Sequence, residues 1–384
     1  MLVDLHSHYP MHVVAGRPIT LERMLSGDRK RVRDKLRAFV LRIANKLANY
    51  PRPGDKPAVT ADTLKNSSVR VVLSVLYDPF SEMDLDQRYG APPQPGYFEA
   101  LLQQIDKVED SIQRHLQDLD LARSPAELAS IAAANKVALV HALEGGFHLG
   151  DTEAAVRANV ETLAARGVAY ITVAHLFWRR VATNTAALPF LPDFLYRLLF
   201  PQPTVGLTDL GRVAVRAMAQ DGILIDLTHM SAPAFRETLQ VLDEVDPRRT
   251  VPVIASHTAC DFGRYQYNIT DTQIAAIAER KGIVGLIACQ QYMTDDGKPK
   301  SFADSIAVLV RHVDRIHQVT GSHEFTALGS DQDGFIAPTL PGLETPGELG
   351  RIEAELARHY GDEAAARICS GNALRVLARW TVRP

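Results

Sequence analysis

The stretch Gly222-Ile-Leu-Ile-Asp-Leu-Thr-His229 is followed, after an interval that reads as helix, by Val251-Pro-Val-Ile-Ala-Ser-His257. Each is a short, β-branched, apolar run that ends in a histidine. Near-continuous apolar runs of this length suit strands buried on both faces, the signature of a parallel sheet. Working outward, the same kind of run recurs at Leu2–Leu5 (ending in His6-Ser7-His8), Val69–Tyr77, Val137–Glu144 (closed by Gly145-Gly146), Val168–His175, Ile283–Cys289 and Phe325–Asp331. That makes eight candidate strands. Between them lie helical patterns with recognisable ends. Asp151–Arg166 follows a Gly-Asp-Thr start, Leu207–Gln220 carries Thr208 and stops before Gly222, and Thr270–Lys281 opens on Thr-Asp. Ser301–Val319 and Pro346–Tyr360 are helical in pattern as well. Strands alternating with helices imply parallel βαβ units. The expected fold is α/β, a (β/α)₈ TIM barrel with an N-terminal helical extension and loop insertions. The runner-up is an open, doubly wound sheet.

Composition agrees with a globular enzyme. The chain has 384 residues, 46% hydrophobic and 23% charged, with a mean hydropathy of −0.07. These values exclude disorder, collagen-like sequence and a disulfide-stapled miniprotein. The net charge of −3 gives no basic bias toward nucleic acid. Three cysteines, Cys260, Cys289 and Cys369, form no CxxC and are expected to be free, buried thiols. No apolar run of about 18 residues exists, so no integral membrane segment is expected. The N-terminal MLVDLHSHYP has neither a basic region nor a cleavage site, so it is not expected to be a signal peptide. A cytoplasmic location is the default expectation.

A typical barrel needs about 250 residues. Eight strands reaching from residue 2 to residue 331 therefore point to one (β/α)₈ domain over 1–384. The excess falls in a helical insertion at 10–60 after the first strand, the 78–125 connection, the 184–206 insert and the C-terminal helices. Asp28–Tyr50 reads as an amphipathic helix, with Val32, Leu36, Phe39, Val40, Ile43 and Leu47 on one face. Arg29, Lys30, Arg31, Arg33, Lys35, Arg37, Arg42 and Lys46 surround that face. It is either an added helix packed on the barrel with a solvated basic side, or a membrane-surface helix. Ala186–Pro203, with LPFLPDFLYRLLFPQP at its core, reads as a lid, a pocket wall or an oligomer contact.

The chemistry concentrates at strand ends. His6, His8, His175, His229 and His257 lie at the C-terminal ends of expected strands, and Glu144 and Asp331 at the ends of two more. In a barrel these ends converge on one mouth, where the active site is built. Imidazole and carboxylate together suit zinc and similar divalent ions. His6 and His8, at i and i+2 of a strand, point to the same side. Each residue alone has a structural explanation, as a cap, a core-edge group or a turn residue; the case rests on the joint pattern. His141 has the opposite parity from Glu144 and reads as structural. His312, His317 and His359 sit in helical patterns and read as surface residues.

At this point the chain resembles the renal (membrane) dipeptidases, peptidase family M19, within the amidohydrolase superfamily. The resemblance is carried by LVDLHSH, ALEGGF (142–147), YITVAH with Asn184 downstream, LTDLGRVAVRAM followed by GILIDLTHMS, PVIASHT, Asn-Ile-Thr-Asp (268–271), ALGSDQDGF and GNALRVL (371–377). These stretches run in the family's order over nearly the whole chain. The resemblance implies a site for two divalent metal ions, usually zinc. It implies that His6 and His8 hold the more buried ion, that Glu144 bridges, and that His229 and His257 hold the second. It further implies Asp331 as acid/base and His175 as the group that polarises the substrate carbonyl. Arg264, Tyr267, Asn268 and Tyr292 are the corresponding substrate-binding candidates. Two departures stand out. The family usually carries His-x-Asp where this chain has His6-Ser7-His8, so a neutral ligand raises the charge of the site by one. The family also usually has an Arg where Tyr267 stands; Arg264 is the candidate substitute for that carboxylate clamp.

The expected function is hydrolysis of dipeptides or dipeptide-like small molecules. The first alternative is another small amide, cyclic amide or lactone, and the second a degenerate barrel acting as a binding protein. The expected partner is the small substrate, with a homodimer suggested by the family and by the 186–203 insert.

Overall fold

The structure is a computed structural model, and it describes residues 1–14, 32–48, 56–84, 87–295, 297–334 and 336–381. Among them nine strands form one sheet in which every pairing is parallel. They are β1 (Leu2–Ser7), β2 (Val69–Leu76), β3 (Leu119–Leu121), β4 (Val137–Glu144), β5 (Tyr170–Thr172), β6 (Leu224–Asp226), β7 (Val253–Thr258), β8 (Ile283–Leu286) and β9 (Thr326–Leu328). Eight run in the order β1-β2-β4-β5-β6-β7-β8-β9, and β3 pairs with the start of β4. The ring is closed between the last strand and the first. The Asp331 N–H donates to the His6 carbonyl (2.8 Å) and the His8 N–H to the Gln332 carbonyl (2.9 Å). Below them Asp4 accepts from the Ser330 N–H (2.8 Å) and hydroxyl (2.5 Å). The fold is a (β/α)₈ barrel.

The alternation within strands decides what fills it. Val3 and Leu5, Val71, Leu73 and Val75, and Ala138, Val140 and Ala142 belong to an inner cluster that Trp380 and Leu377 also join. The other parity, with Val72, Leu76, Leu139, Leu143, Ile171 and Ile225, packs against the surrounding helices. Helix starts follow the capping chemistry. Thr152, Thr208, Thr270 and Ser301 each accept a backbone N–H with their side chain, and Gly222 and Gly321 end helices in the left-handed region.

Several expectations need correction. β5, β6 and β9 are three residues long, shorter than the apolar runs that announced them. His229 and Asp331 have φ of +67° and +57°, a conformation that cannot continue a strand. In β6 and β9 the strand therefore ends before the chain reaches His229 and Asp331. Pro346–Tyr360 is two helices, Pro346–Leu349 and Ile352–Tyr360, separated at Gly350-Arg351.

The amphipathic face of the N-terminal insertion is rotated from the one expected. Residues 28–31 and 49–50 lie outside the described residues. In the helix Val32–Ala48, Val32, Leu36 and Phe39 are exposed, whereas Arg37 is buried. Arg37 donates to the Leu199 carbonyl (2.8 Å) and to Asp34 (2.8 Å), and its guanidinium lies over the Tyr89 ring. A buried cation with these partners docks the helix on its polar edge. The 186–203 insert contains the helix Asp193–Leu199, which buries Tyr196 and Leu199 and leaves Phe194 and Leu198 exposed.

His312 is fully buried, contrary to its expected surface position. Its Nδ1 accepts the Cys260 N–H (3.0 Å), so Nε2–H donates to the Met293 carbonyl (2.9 Å). Burial pushes its pKa down to about 4. Between the ordinary 6.5 and that value the unfolded chain binds a proton that the folded chain refuses. Stability present at neutral pH is therefore lost as pH falls through this window, by about 3 kcal/mol. Comparing unfolding free energies of the wild type and His312→Asn from pH 7 to 4 tests this. The variant is expected to show the shallower decline, and equal slopes contradict it.

Candidate metal centre

Glu144 ends β4 at the mouth of the barrel, and imidazoles converge on it. Its Oε1 lies 3.4 Å from His6 Nε2, 3.3 Å from His175 Nε2, 3.6 Å from His229 Nε2 and 3.5 Å from His257 Nε2. Its Oε2 lies 3.7 Å from His8 Nε2. Asp331 Oδ1 lies 3.0 Å from His8 Nε2 and 3.8 Å from His6 Nε2. All seven residues are buried. They fall into three overlapping sets whose donor atoms lie within 4.8 Å of one another: His6, His8 and Asp331; His6, Glu144 and His257; Glu144, His175 and His229.

The electrostatics ask for cations. Burial and mutual like charge hold His6, His175 and His257 well below the ordinary imidazole value, and burial takes His229 down to about 4. Burial drives the Glu144 carboxyl well above its ordinary value. Burial also depresses His8, but its hydrogen bond and attraction to Asp331 and the charge of Glu144 outweigh that, so it is raised. Glu144 Oε1 and His6 Nε2 are buried without a hydrogen-bond partner, an expensive state for polar atoms. Neutral imidazole lone pairs around an orphaned carboxylate oxygen are the donor set of a divalent metal site, so the residues fit such ions.

A second layer of side chains fixes the rings, and sequence reasoning missed all of it. Tyr170 donates its hydroxyl hydrogen to the Leu5 carbonyl (2.9 Å), so its oxygen accepts from His6 Nδ1–H (2.7 Å). Ser256 Oγ is 2.9 Å from His257 Nδ1 and 3.2 Å from His6 Nδ1, and donates to Asp226 (2.6 Å). Glu82, in the short helix Pro79–Met83, has Oε2 2.9 Å from His175 Nδ1. That carboxyl also accepts the Tyr77 hydroxyl (2.7 Å) and the Phe177 N–H (2.9 Å), and burial pushes it up to about 7. Asp226 and Ser256 were legible in principle. A lone Asp inside an apolar strand must be buried and hydrogen-bonded. Glu82 had no comparable signal in the 78–125 connection.

The substrate-side candidates divide. Tyr267 is buried, donates to the His257 carbonyl (2.6 Å), and places its ring 5.0 Å from that of His229. Asn268 is buried, donating to the Tyr292 carbonyl (2.9 Å) while its Oδ1 has no partner. Tyr292 packs on Tyr267 at 4.2 Å and its hydroxyl is unpartnered. Arg264 stands apart: it is exposed, and its guanidinium donates to the Thr294 and Asp295 carbonyls. A cavity of about 430 Å³ lies beside the centre, lined among others by Asn184, Thr228, His229, Met230, Tyr267 and Asn268. His141 faces outward, with Nε2 3.5 Å from Glu109. The three cysteines are free and buried.

The sequence model of the family described as membrane dipeptidase (peptidase family M19) matches residues 53–382. The chain belongs to peptidase family M19. Among curated relatives, it is 27% identical over 281 residues to dipeptidase verJ of Clonostachys rogersoniana, covering 72% of this chain and 64% of that protein. It is 28% identical over 290 residues to rat (Rattus norvegicus) dipeptidase 3, covering 70% of this chain and 52% of that protein. The chain thus matches less than two thirds of the length of either. In fold it is similar to dipeptidase AC, a metallopeptidase of family M19 (TM-score 0.70, 18% identity, covering 99% and 98% of the two chains). It is also similar to a metallopeptidase from Rhodobacter sphaeroides bound to a phosphinate mimic of the dipeptide L-Ala-D-Ala (TM-score 0.69, 20% identity, covering 99% of each).

Proposed function

We propose that this M19 chain is a binuclear metal-dependent hydrolase that cleaves the amide bond of dipeptides or dipeptide-like small molecules. The observation that carries the reading is the convergence of five imidazole Nε2 atoms on the two oxygens of Glu144. His6 and His8 would hold one ion and His229 and His257 the other, with Glu144, whose oxygens face all four rings, available to both. The nitrogen-rich donor set favours zinc. When bound, two such ions lower the pKa of water toward about 7 and polarise a carbonyl. Asp331 accepts the proton of the attacking water and passes it to the departing amine. His175 is a neutral ring whose Nδ1 accepts a hydrogen from the Glu82 carboxyl, so its one hydrogen sits on Nε2 and is presented to the developing oxyanion. Tyr267, Asn268 and Tyr292 border the substrate. The Rhodobacter sphaeroides relative, bound to its dipeptide mimic, supports the substrate class.

A second reading, hydrolysis of another small amide, cyclic amide or lactone, is favoured by one observation. Arg264 is engaged with loop carbonyls, and Tyr267 offers no charge to a substrate carboxylate. Metal analysis coupled to a dipeptide library with D-residues at the C-terminal position separates the two. Metal near two ions per chain with dipeptide turnover is the expected result; metal without turnover transfers the assignment to the second reading. A metal-free, inactive chain overturns both. The reading keeps a cytoplasmic location and a homodimer, the latter supported by exposed Phe39, Phe194 and Leu198 and tested by sedimentation.

A further inference from the structure

Asp226 ends β6 with no exposure to solvent and receives five hydrogen bonds. Its Oδ1 accepts the Thr228 N–H (3.1 Å), the Thr228 hydroxyl (2.7 Å) and the Ser256 N–H (2.9 Å). Its Oδ2 accepts the hydroxyls of Thr172 (2.6 Å) and Ser256 (2.6 Å). Every neighbour is thus a donor, and the carboxylate is the acceptor that satisfies them all. It does not touch the proposed ions itself. Its influence travels through Ser256, whose single hydrogen is committed to Asp226. Ser256 Oγ therefore has only lone pairs left for its other neighbours. The nearer of these is His257 Nδ1 at 2.9 Å. His257 must place its hydrogen on Nδ1, which leaves the Nε2 lone pair turned toward Glu144.

We propose that Asp226, acting through Ser256, is the positioning residue that sets the tautomer of His257 and so makes one of the two metal positions competent. His6 is held differently: its nearer Nδ1 partner is Tyr170 Oη at 2.7 Å, with Ser256 Oγ at 3.2 Å. The two metal positions thus have separate orienting groups, Tyr170 for the His6 side and Asp226–Ser256 for the His257 side. The proposal rests on the metal-centre reading above, and it adds a selectivity that reading does not contain.

Asp226→Asn tests it because the local donors dictate how the amide sits. Two backbone N–H groups face the Oδ1 position and can only donate, so the amide oxygen must stay there. The amide nitrogen then takes the Oδ2 position, opposite two hydroxyls that can reverse and accept. Ser256, once it accepts from Asn, turns its own hydrogen toward His257 Nδ1. The direction of the whole chain is inverted at nearly constant shape, and His257 carries its hydrogen on the atom meant for the metal.

The experiment is a chelator-competition titration of the full chain loaded with Zn²⁺, wild type against Asp226→Asn. ¹⁵N NMR of the histidine rings, assigned with a His257 variant, reports the tautomer. One ion is expected to bind about 10–100-fold more weakly while the other is retained, and apo His257 is expected to shift from Nδ1–H to Nε2–H. Tyr170→Phe is expected to weaken the other ion instead. Should Asp226→Asn fail to fold, Ser256→Ala removes the acceptor at the same point and is expected to loosen the same ion. Wild-type affinity at both positions in the folded variant, or His257 unchanged at Nδ1–H, overturns the proposal. A wild-type chain that binds no metal overturns the metal-centre reading instead, and the tautomer signal still reports on Asp226.

Discussion

Asp331→Asn is expected to keep its metal and lose about 10²–10⁴-fold in kcat. Asparagine is the informative replacement because Asp331 has a φ of +57°, and Asn is among the few residues that accept the left-handed region without strain. The backbone hydrogen bond from Asp331 N–H to the His6 carbonyl is untouched. What is removed is the capacity to take a proton at Oδ1, the atom 3.0 Å from His8 Nε2. That closeness gives the residue a competing role as a ligand, since Asp331 also groups with His6 and His8. The two roles separate by measurement. Elemental analysis of the purified variant beside its kcat decides between them: metal retained with turnover lost fits acid–base work, metal lost fits ligation. Full activity removes Asp331 from the chemistry altogether.

Glu144→Gln is expected to have the second large effect, a fall of about tenfold or more in retained metal. Four Nε2 atoms within 3.6 Å share one oxygen of this side chain. The amide is nearly isosteric, so packing survives, but the one carboxylate shared by all four imidazoles is lost, and Asp331 stays close only to His6 and His8. Cations held between neutral rings alone lack the compensating anion that a buried site needs. His229→Ala, by contrast, removes one ligand of one ion and is expected to lower metal content by less. Equal metal retention in Glu144→Gln and wild type, measured after dialysis against a chelator, contradicts a bridging position for Glu144.

The barrel was legible because its strands are apolar, β-branched and end in polar groups. Val137–Glu144 has the same bounds in sequence and structure. What escaped was short or inverted. β3 is three residues, Leu119–Leu121, with an aspartate at its centre, too little for periodicity to register. The helix Val32–Ala48 buries Arg37 and exposes Phe39 because tertiary partners, the Leu199 carbonyl and the Tyr89 ring, outweighed its own amphipathic pattern. The histidines and carboxylates of the centre announced themselves by position at strand ends. The groups that orient them did not, because orientation is a property of neighbours in space. Tyr170 is 164 residues from His6, and Ser256 is 250.

The clasp between Asp4 and Ser330 spans 326 residues of chain. His6 and His8 follow one half of it in the chain, and Asp331 follows the other half directly. At about 5–20 residues per second, these two histidines wait on the order of 15–65 s for the last strand to be made. Until then the mouth has no closed ring to hold it. A metal site whose donors lie on both halves of this clasp is therefore complete only after the last strand is made, and a product of translation that stops before Ser330 carries the early histidines without the geometry that groups them with Asp331.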